Sequence, residues 1–106
     1  MRTVLVLAFA ALAPSLAGAQ EASPAKLGGQ LLERHCARCH AVGSSGASPR
    51  ADAPPFRTLA ARYPLDSLEE ALAESNIAGH PDMPELNLET SEVAAMIAYL
   101  KSIQPR

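Results

Sequence analysis

Cys36, Cys39 and His40 stand together in Cys36-Ala37-Arg38-Cys39-His40, and here the sequence offers its clearest chemistry. Two thiols separated by two residues, with an imidazole directly after the second, read as covalent haem attachment. Each sulfur can add to one vinyl group, and the two-residue spacing lets both reach the same porphyrin. The adjacent imidazole is then placed to bind the iron. Tether and ligand are neighbours in sequence, so closing this arrangement costs little chain entropy.

Three other chemistries use two closely spaced cysteines. A thioredoxin-type redox dithiol sits in a βαβ setting, and no strand pattern of useful length is present. A structural zinc site needs four ligands, and no second Cys-x-x-Cys or paired histidines complete one. A disulfide suits an exported chain, but across so short a loop it stabilises little. Haem attachment is the reading with which His40, the helical setting and the N-terminal segment all agree.

Iron held by His40 has a second axial position. The candidates are Met83, Met96, His35 and His80. Met96 falls on an apolar helical stripe and reads as core. His35 directly precedes Cys36, is poorly placed to reach the far face of the ring, and reads as a surface residue. Met83 lies in His80-Pro81-Asp82-Met83-Pro84-Glu85, outside any core stripe, with prolines restricting the backbone around it. It is the favoured ligand, and its soft sulfur raises the potential of the iron. His80 is the alternative, and would lower the potential. If neither binds, the iron is open to small gases or peroxide.

Helices must position these residues. Ser23 with Pro24 behind it predicts a helix start, running to about Cys36 with Leu27, Leu31 and Leu32 on its apolar face. Residues 41–55, rich in Gly, Ser, Ala and Pro, read as an irregular loop. Residues 56–63 suit a short helix stopped by Pro64. Asp66 is expected to cap a third helix, with Glu69 as its capping-box partner, ending near Ser75. Residues 76–89 read as a second loop. A last helix is expected from Thr90 or Ser91 to Ile103, with Val93, Met96, Ile97 and Leu100 on one stripe and Pro105 beyond its end. The expected fold class is all-α.

The chain has 106 residues, enough for one domain. Residues 1–19 carry Arg2, an apolar run over residues 4–13, and Ala17-Gly18-Ala19, which has the pattern of a signal peptidase site. They are expected to be an export signal, leaving residues 20–106 as the mature domain; an uncleaved anchor is the alternative. The run is short for a bilayer span and Pro14 interrupts it, so no permanent membrane span is expected in the mature form. Eleven acidic against nine basic side chains give a formal charge of −2, which argues against a nucleic-acid partner. Beyond residue 19, Phe56, Tyr63 and Tyr99 are the only Phe, Tyr or Trp residues. A core so poor in aromatic volume is consistent with a large buried cofactor.

With these residues in place the sequence resembles the class I, mitochondrial cytochrome c-like, family over nearly all of residues 20–106. Beyond the Cys-x-x-Cys-His motif, Gly28 stands where the family has a small residue that lets the first helix cross an aromatic of the last. Tyr99, in Ile97-Ala98-Tyr99-Leu100-Lys101, resembles that aromatic. Leu32 stands where many members carry an aromatic. Ala53-Pro54-Pro55-Phe56 resembles the family's Gly-Pro-x-Leu segment, which implies that the Pro54 carbonyl accepts the second ring N–H of His40; Pro55 takes this part if the register slips by one. Asp82-Met83-Pro84 resembles the axial methionine loop.

The resemblance implies a small helical fold wrapped around one covalent haem c and its iron. The function it implies is a periplasmic monohaem protein that passes single electrons between redox partners without itself being an enzyme. Two other roles stay open: the haem-bearing subunit of a periplasmic dehydrogenase or oxidase, and a gas-binding protein with an open sixth position.

Overall fold

The computed structural model describes Met1 and residues 3–13, 23–74 and 80–106. Pro14, the Ala17-Gly18-Ala19 pattern, residues 20–22, Ser75 and residues 76–79 lie outside the described residues. Among those described, every regular element is helical: α1 (Pro24–Cys36), a short 3-10 helix (Phe56–Ala61), α2 (Leu65–Ala73) and α3 (Thr90–Ile103).

Helix α1 opens as expected. The Ser23 hydroxyl accepts from the Lys26 N–H at 3.3 Å, and Pro24 occupies the first turn, where no amide donor is needed. Arg34 and His35 in the last turn sit where the helix dipole favours cations. The buried face is Gly28, Leu31 and Leu32. Leu27, expected on that face, is 44% exposed. The helix meets α3 through a glycine, which centres the buried stripe on residue 28 and turns Leu27 aside.

Helix α3 supplies most of the core. Val93, Met96 and Leu100 are its most deeply buried side chains, joined by Ala95 and Ile97. Its start is held by a reciprocal capping box: the Glu89 side chain accepts from the Glu92 N–H, and Glu92 Oε1 accepts from the Glu89 N–H at 3.1 Å. Gln104 ends it.

Two adjacent glycines line the α1–α3 crossing. A Cβ on Gly28 would overlap the Ala95 carbonyl and come within 2.8 Å of the Met96 nitrogen. Gly28 therefore packs closely on the α3 backbone at Ala95 and Met96. The Tyr99 ring covers the neighbouring Gly29, where a Cβ would meet it at 2.9 Å. Successive helical residues point about 100° apart, so the two glycines serve different contacts.

Helix α2 departs from the sequence reading at its start. Pro64, not Asp66, holds the N-cap position and makes no side-chain cap; its carbonyl accepts from Ser67 and Leu68 at 3.1 and 3.3 Å. Pro64 already has a suitable φ of −59°, so the helix begins at Leu65. Asp66 lies in the first turn, where it complements the dipole and sits 3.4 Å from Lys101 of α3. The Asp66–Glu69 capping box does not form. The 3-10 helix ends in two amides, of Arg62 and Tyr63, both donating to the Leu59 carbonyl at 2.9 Å.

Phe56, Leu59, Leu72 and Val42 complete the buried cluster with the α1 and α3 residues. No helix among the described residues is long and apolar enough to cross a membrane. Met1 and residues 3–13 form no regular element and leave Val4, Leu5, Val6, Leu7, Phe9 and Leu12 exposed.

Candidate functional site

The Cys-x-x-Cys-His motif forms the C-terminal end of α1 and the turn beyond it. The Cys36 carbonyl accepts from the amides of Cys39 at 3.2 Å and His40 at 3.0 Å. That turn closes the helix and sets both sulfurs and the imidazole on one short piece of backbone. Both thiols are free and half-buried. Burial first, and then the neighbouring Cys39, push the Cys36 thiol up to about 11.

His40 is buried, and two contacts fix its ring. Nδ1 lies 2.9 Å from the Pro54 carbonyl oxygen. A carbonyl only accepts, so Nδ1 carries a proton, and it is Nε2 that has the lone pair in this tautomer of the neutral ring. Phe56 stacks on the ring with centroids 4.7 Å apart. Among the described residues no side-chain nitrogen or oxygen is both fully buried and unpaired. Nε2, which has no partner among them, therefore opens onto accessible space.

The loop over residues 41–55 is irregular, yet it is tied back to the motif. Arg50 N–H donates to the Cys39 carbonyl at 3.1 Å, Ala41 N–H to Ser48 Oγ at 3.0 Å, and Phe56 N–H to the Ala41 carbonyl at 3.0 Å. These bonds return the chain so that Pro54 reaches His40. Tyr99 secures the loop from outside by donating its hydroxyl to the Val42 carbonyl at 2.8 Å. Burial, and secondarily the charge of Glu33, push that hydroxyl above its ordinary range, which keeps it a donor. Gln104 holds the 3-10 helix: its amide donates to Phe56 and Leu100 carbonyls at 2.8 and 2.9 Å and accepts from the Ala60 N–H at 3.0 Å.

Met83 is half-buried, with its N–H donating to the His80 carbonyl at 3.0 Å. His80 is exposed, His35 is half-buried, and Met96 is fully enclosed in the core. Asp82, next to Met83, pairs with Arg50 at 2.7 Å. Arg50 also grips Asp52, with Nε at 2.6 Å and Nη2 at 3.2 Å. Hydrogen bonds donated to Asp52 and then to Asp82 push the guanidinium above its ordinary range, and the bond from Arg50 holds the Asp52 carboxyl below its own.

Residues 25–104 match the family model for cytochrome c. The chain is also 37% identical to a cytochrome c-552 of Bradyrhizobium diazoefficiens over 101 residues, covering 95% of this chain and 91% of the relative. No solved structure gives a significant match. The chain belongs to the cytochrome c family.

It is a class I c-type cytochrome, an electron carrier built on a covalent haem c and its iron. The residues present fit that group. Two free thiols flank one turn beside a histidine whose Nδ1 is already bonded and whose Nε2 is accessible. Among the described residues no three His, Cys, Asp or Glu side chains converge as a metal cage.

Four residues around the site of this cytochrome escaped the sequence reading. Phe56 was visible only as part of a proline-containing segment; an aromatic directly after two prolines and near a histidine is the signal that points to stacking. Val42, Arg50 and Gln104 act through contacts with distant residues and carry no local pattern.

Proposed function

We propose that residues 20–106 are an exported, periplasmic monohaem cytochrome that passes single electrons between redox proteins. Cys36 and Cys39 form the thioethers, His40 supplies the proximal nitrogen and Met83 the sixth ligand. The observation that carries this reading is the oriented imidazole of His40, bonded through Nδ1 to Pro54 with Nε2 accessible beside two free thiols. The relative's name, cytochrome c-552, and its bacterial source support it.

Haem iron supplies a one-electron couple when bound. The chain's part is to hold and tune it. The Pro54 carbonyl accepts a hydrogen bond from the Nδ1–H of His40, which fixes the tautomer and strengthens the ring's donation through Nε2. The Phe56 stack fixes the ring plane. The Met83 thioether favours the reduced state and raises the potential. Ligands kept in both oxidation states limit reorganisation during transfer. Redox partners engage it in small, short-lived encounters.

Residues 1–19 act as the export signal and are removed. The exposed apolar side chains of Val4 to Leu7, Phe9 and Leu12 support this, since nothing in the folded domain buries them.

Absorption spectra of the exported protein, oxidised and reduced, test the ligand set alongside a Met83→Ala variant. The reading expects a c-type haem spectrum with a sulfur–iron charge-transfer band that Met83→Ala removes. A band that survives in the variant, or carbon monoxide binding readily to the native ferrous protein, contradicts it. Stable co-purification with one partner would instead favour a fixed subunit.

A further inference from the structure

Arg50 touches both halves of the proposed ligand set through its neighbours. Its N–H donates to the Cys39 carbonyl, and its own carbonyl accepts from the Ala53 N–H, both at 3.1 Å. The backbone at Arg50 is thus held against the cysteine turn. Its side chain reaches outward to Asp82 at 2.7 Å, one residue before Met83. The Met83 N–H closes the same turn on the His80 carbonyl at 3.0 Å. Asp52 accepts from Nε and Nη2 of the guanidinium at 2.6 and 3.2 Å, and so aims it. Arg50 and Asp82 are 32 residues apart, so the contact does not follow from local chain geometry.

We propose that Arg50 is a positioning residue that holds the Met83 loop against the cysteine turn, and so limits how often Met83 leaves its ligand position. The proposal rests on Met83 being the sixth ligand. All three side chains are substantially exposed, so each pair alone is weak. The contact biases the loop; it does not lock it. Exposed ion pairs of this kind shift an equilibrium by about two- to fivefold. Screening by salt weakens them further.

The test uses the complete haem-loaded protein. Imidazole competes with Met83 for ferric iron, and its binding constant reports how readily the loop yields. Arg50→Gln is expected to tighten imidazole binding about two- to fivefold. Asp82→Asn does the same, and the double variant adds little to either single change because they remove one shared contact. In the wild type imidazole binding tightens as salt rises; in Arg50→Gln that salt dependence is lost. Arg57→Gln is the control. Arg57 donates to the Gly46 carbonyl at 2.6 Å in the same loop but makes no ion pair with residue 82, so its imidazole affinity stays at the wild-type value.

A merely structural role for Arg50 would lower the unfolding midpoint without altering the salt dependence of imidazole binding. Wild-type affinity and salt dependence in Arg50→Gln, with much tighter binding in Met83→Ala, would overturn the positioning role while leaving the Met83 assignment standing. A Met83→Ala protein with unchanged imidazole affinity and an intact sulfur–iron band would remove the ligand assignment and the proposal with it.

Discussion

His40 and Pro54 are joined across the loop by a 2.9 Å contact from Nδ1 to the carbonyl oxygen. The acceptor is backbone, so the contact depends on the path of the chain and not on a replaceable side chain. Phe56, two residues on, stacks on the same imidazole and holds its ring plane. Phe56→Ala is expected to cost about 3–5 kcal/mol, the usual range for emptying a buried aromatic site. It should also speed exchange of the Nδ1 proton. Denaturant unfolding and the NMR signal of that proton in the diamagnetic ferrous protein check the two effects. Unchanged proton exchange would separate Phe56 from the orientation of His40.

Gly28 and Gly29 provide a sharper comparison. Replacing an interior helical glycine by alanine gains about 1 kcal/mol in propensity. At Gly29 the new methyl meets the Tyr99 ring, whose side chain can shift, so Gly29→Ala should fall within about 1 kcal/mol of neutral. At Gly28 it meets the Ala95 carbonyl and the Met96 nitrogen. Backbone cannot step aside without separating α1 from α3. Gly28→Ala is expected to destabilise by about 1–3 kcal/mol net, the range for overpacking. Urea unfolding of the two variants side by side decides this, and equal stability would contradict the close crossing.

The sequence made some of this readable and concealed the rest. The Cys36–His40 motif is local, and its chemistry is set by spacing alone. The stripe of Val93, Met96, Ile97 and Leu100 is periodic, so it could be read directly. Ser23 and Pro24 announced the start of α1 because both act on adjacent backbone. Asp66 misled because Pro64 already supplied a helical entry one turn position earlier. Gly28 signalled a close approach, but a glycine does not reveal which atoms make it; here they are the Ala95 carbonyl and the Met96 nitrogen. Arg50 and Gln104 gave no sign at all. Their partners Asp82 and Phe56 lie 32 and 48 residues away, and a polar contact over that distance leaves no periodicity.

Gln104 makes three hydrogen bonds that tie the 3-10 helix to the end of α3. Gln104→Ala should cost about 1–3 kcal/mol, chiefly by leaving the part-buried Phe56 carbonyl without its donor. Gln104→Glu retains an acceptor for the Ala60 N–H but loses the donor, so it should be no more stable than Gln104→Ala. A Glu variant as stable as wild type would show that the donor side of the amide is irrelevant.

Asp52 offers a test of the loop's electrostatics. The hydrogen bond from Arg50 holds its carboxyl below the ordinary value of 3.8. A carboxyl lowered on folding stabilises the folded state above its unfolded value, and that contribution disappears as pH falls through the folded one. The stabilisation is therefore complete near neutrality and is lost in acid below 3.8. Carboxyl NMR titration should find Asp52 low in the wild type and returned toward 3.8 in Arg50→Gln. A wild-type Asp52 that titrates at its ordinary value would contradict the Arg50–Asp52 contact.

The mass of the intact, denatured protein bears most directly on the central claim, which is covalent haem at Cys36 and Cys39. Protein exported from a cell with haem-attachment machinery should weigh one haem more than the polypeptide and keep its colour through acid-acetone extraction. A Cys36→Ser, Cys39→Ser double variant should lose both. A native chain that shows the bare polypeptide mass and surrenders all its colour to the solvent would contradict the account.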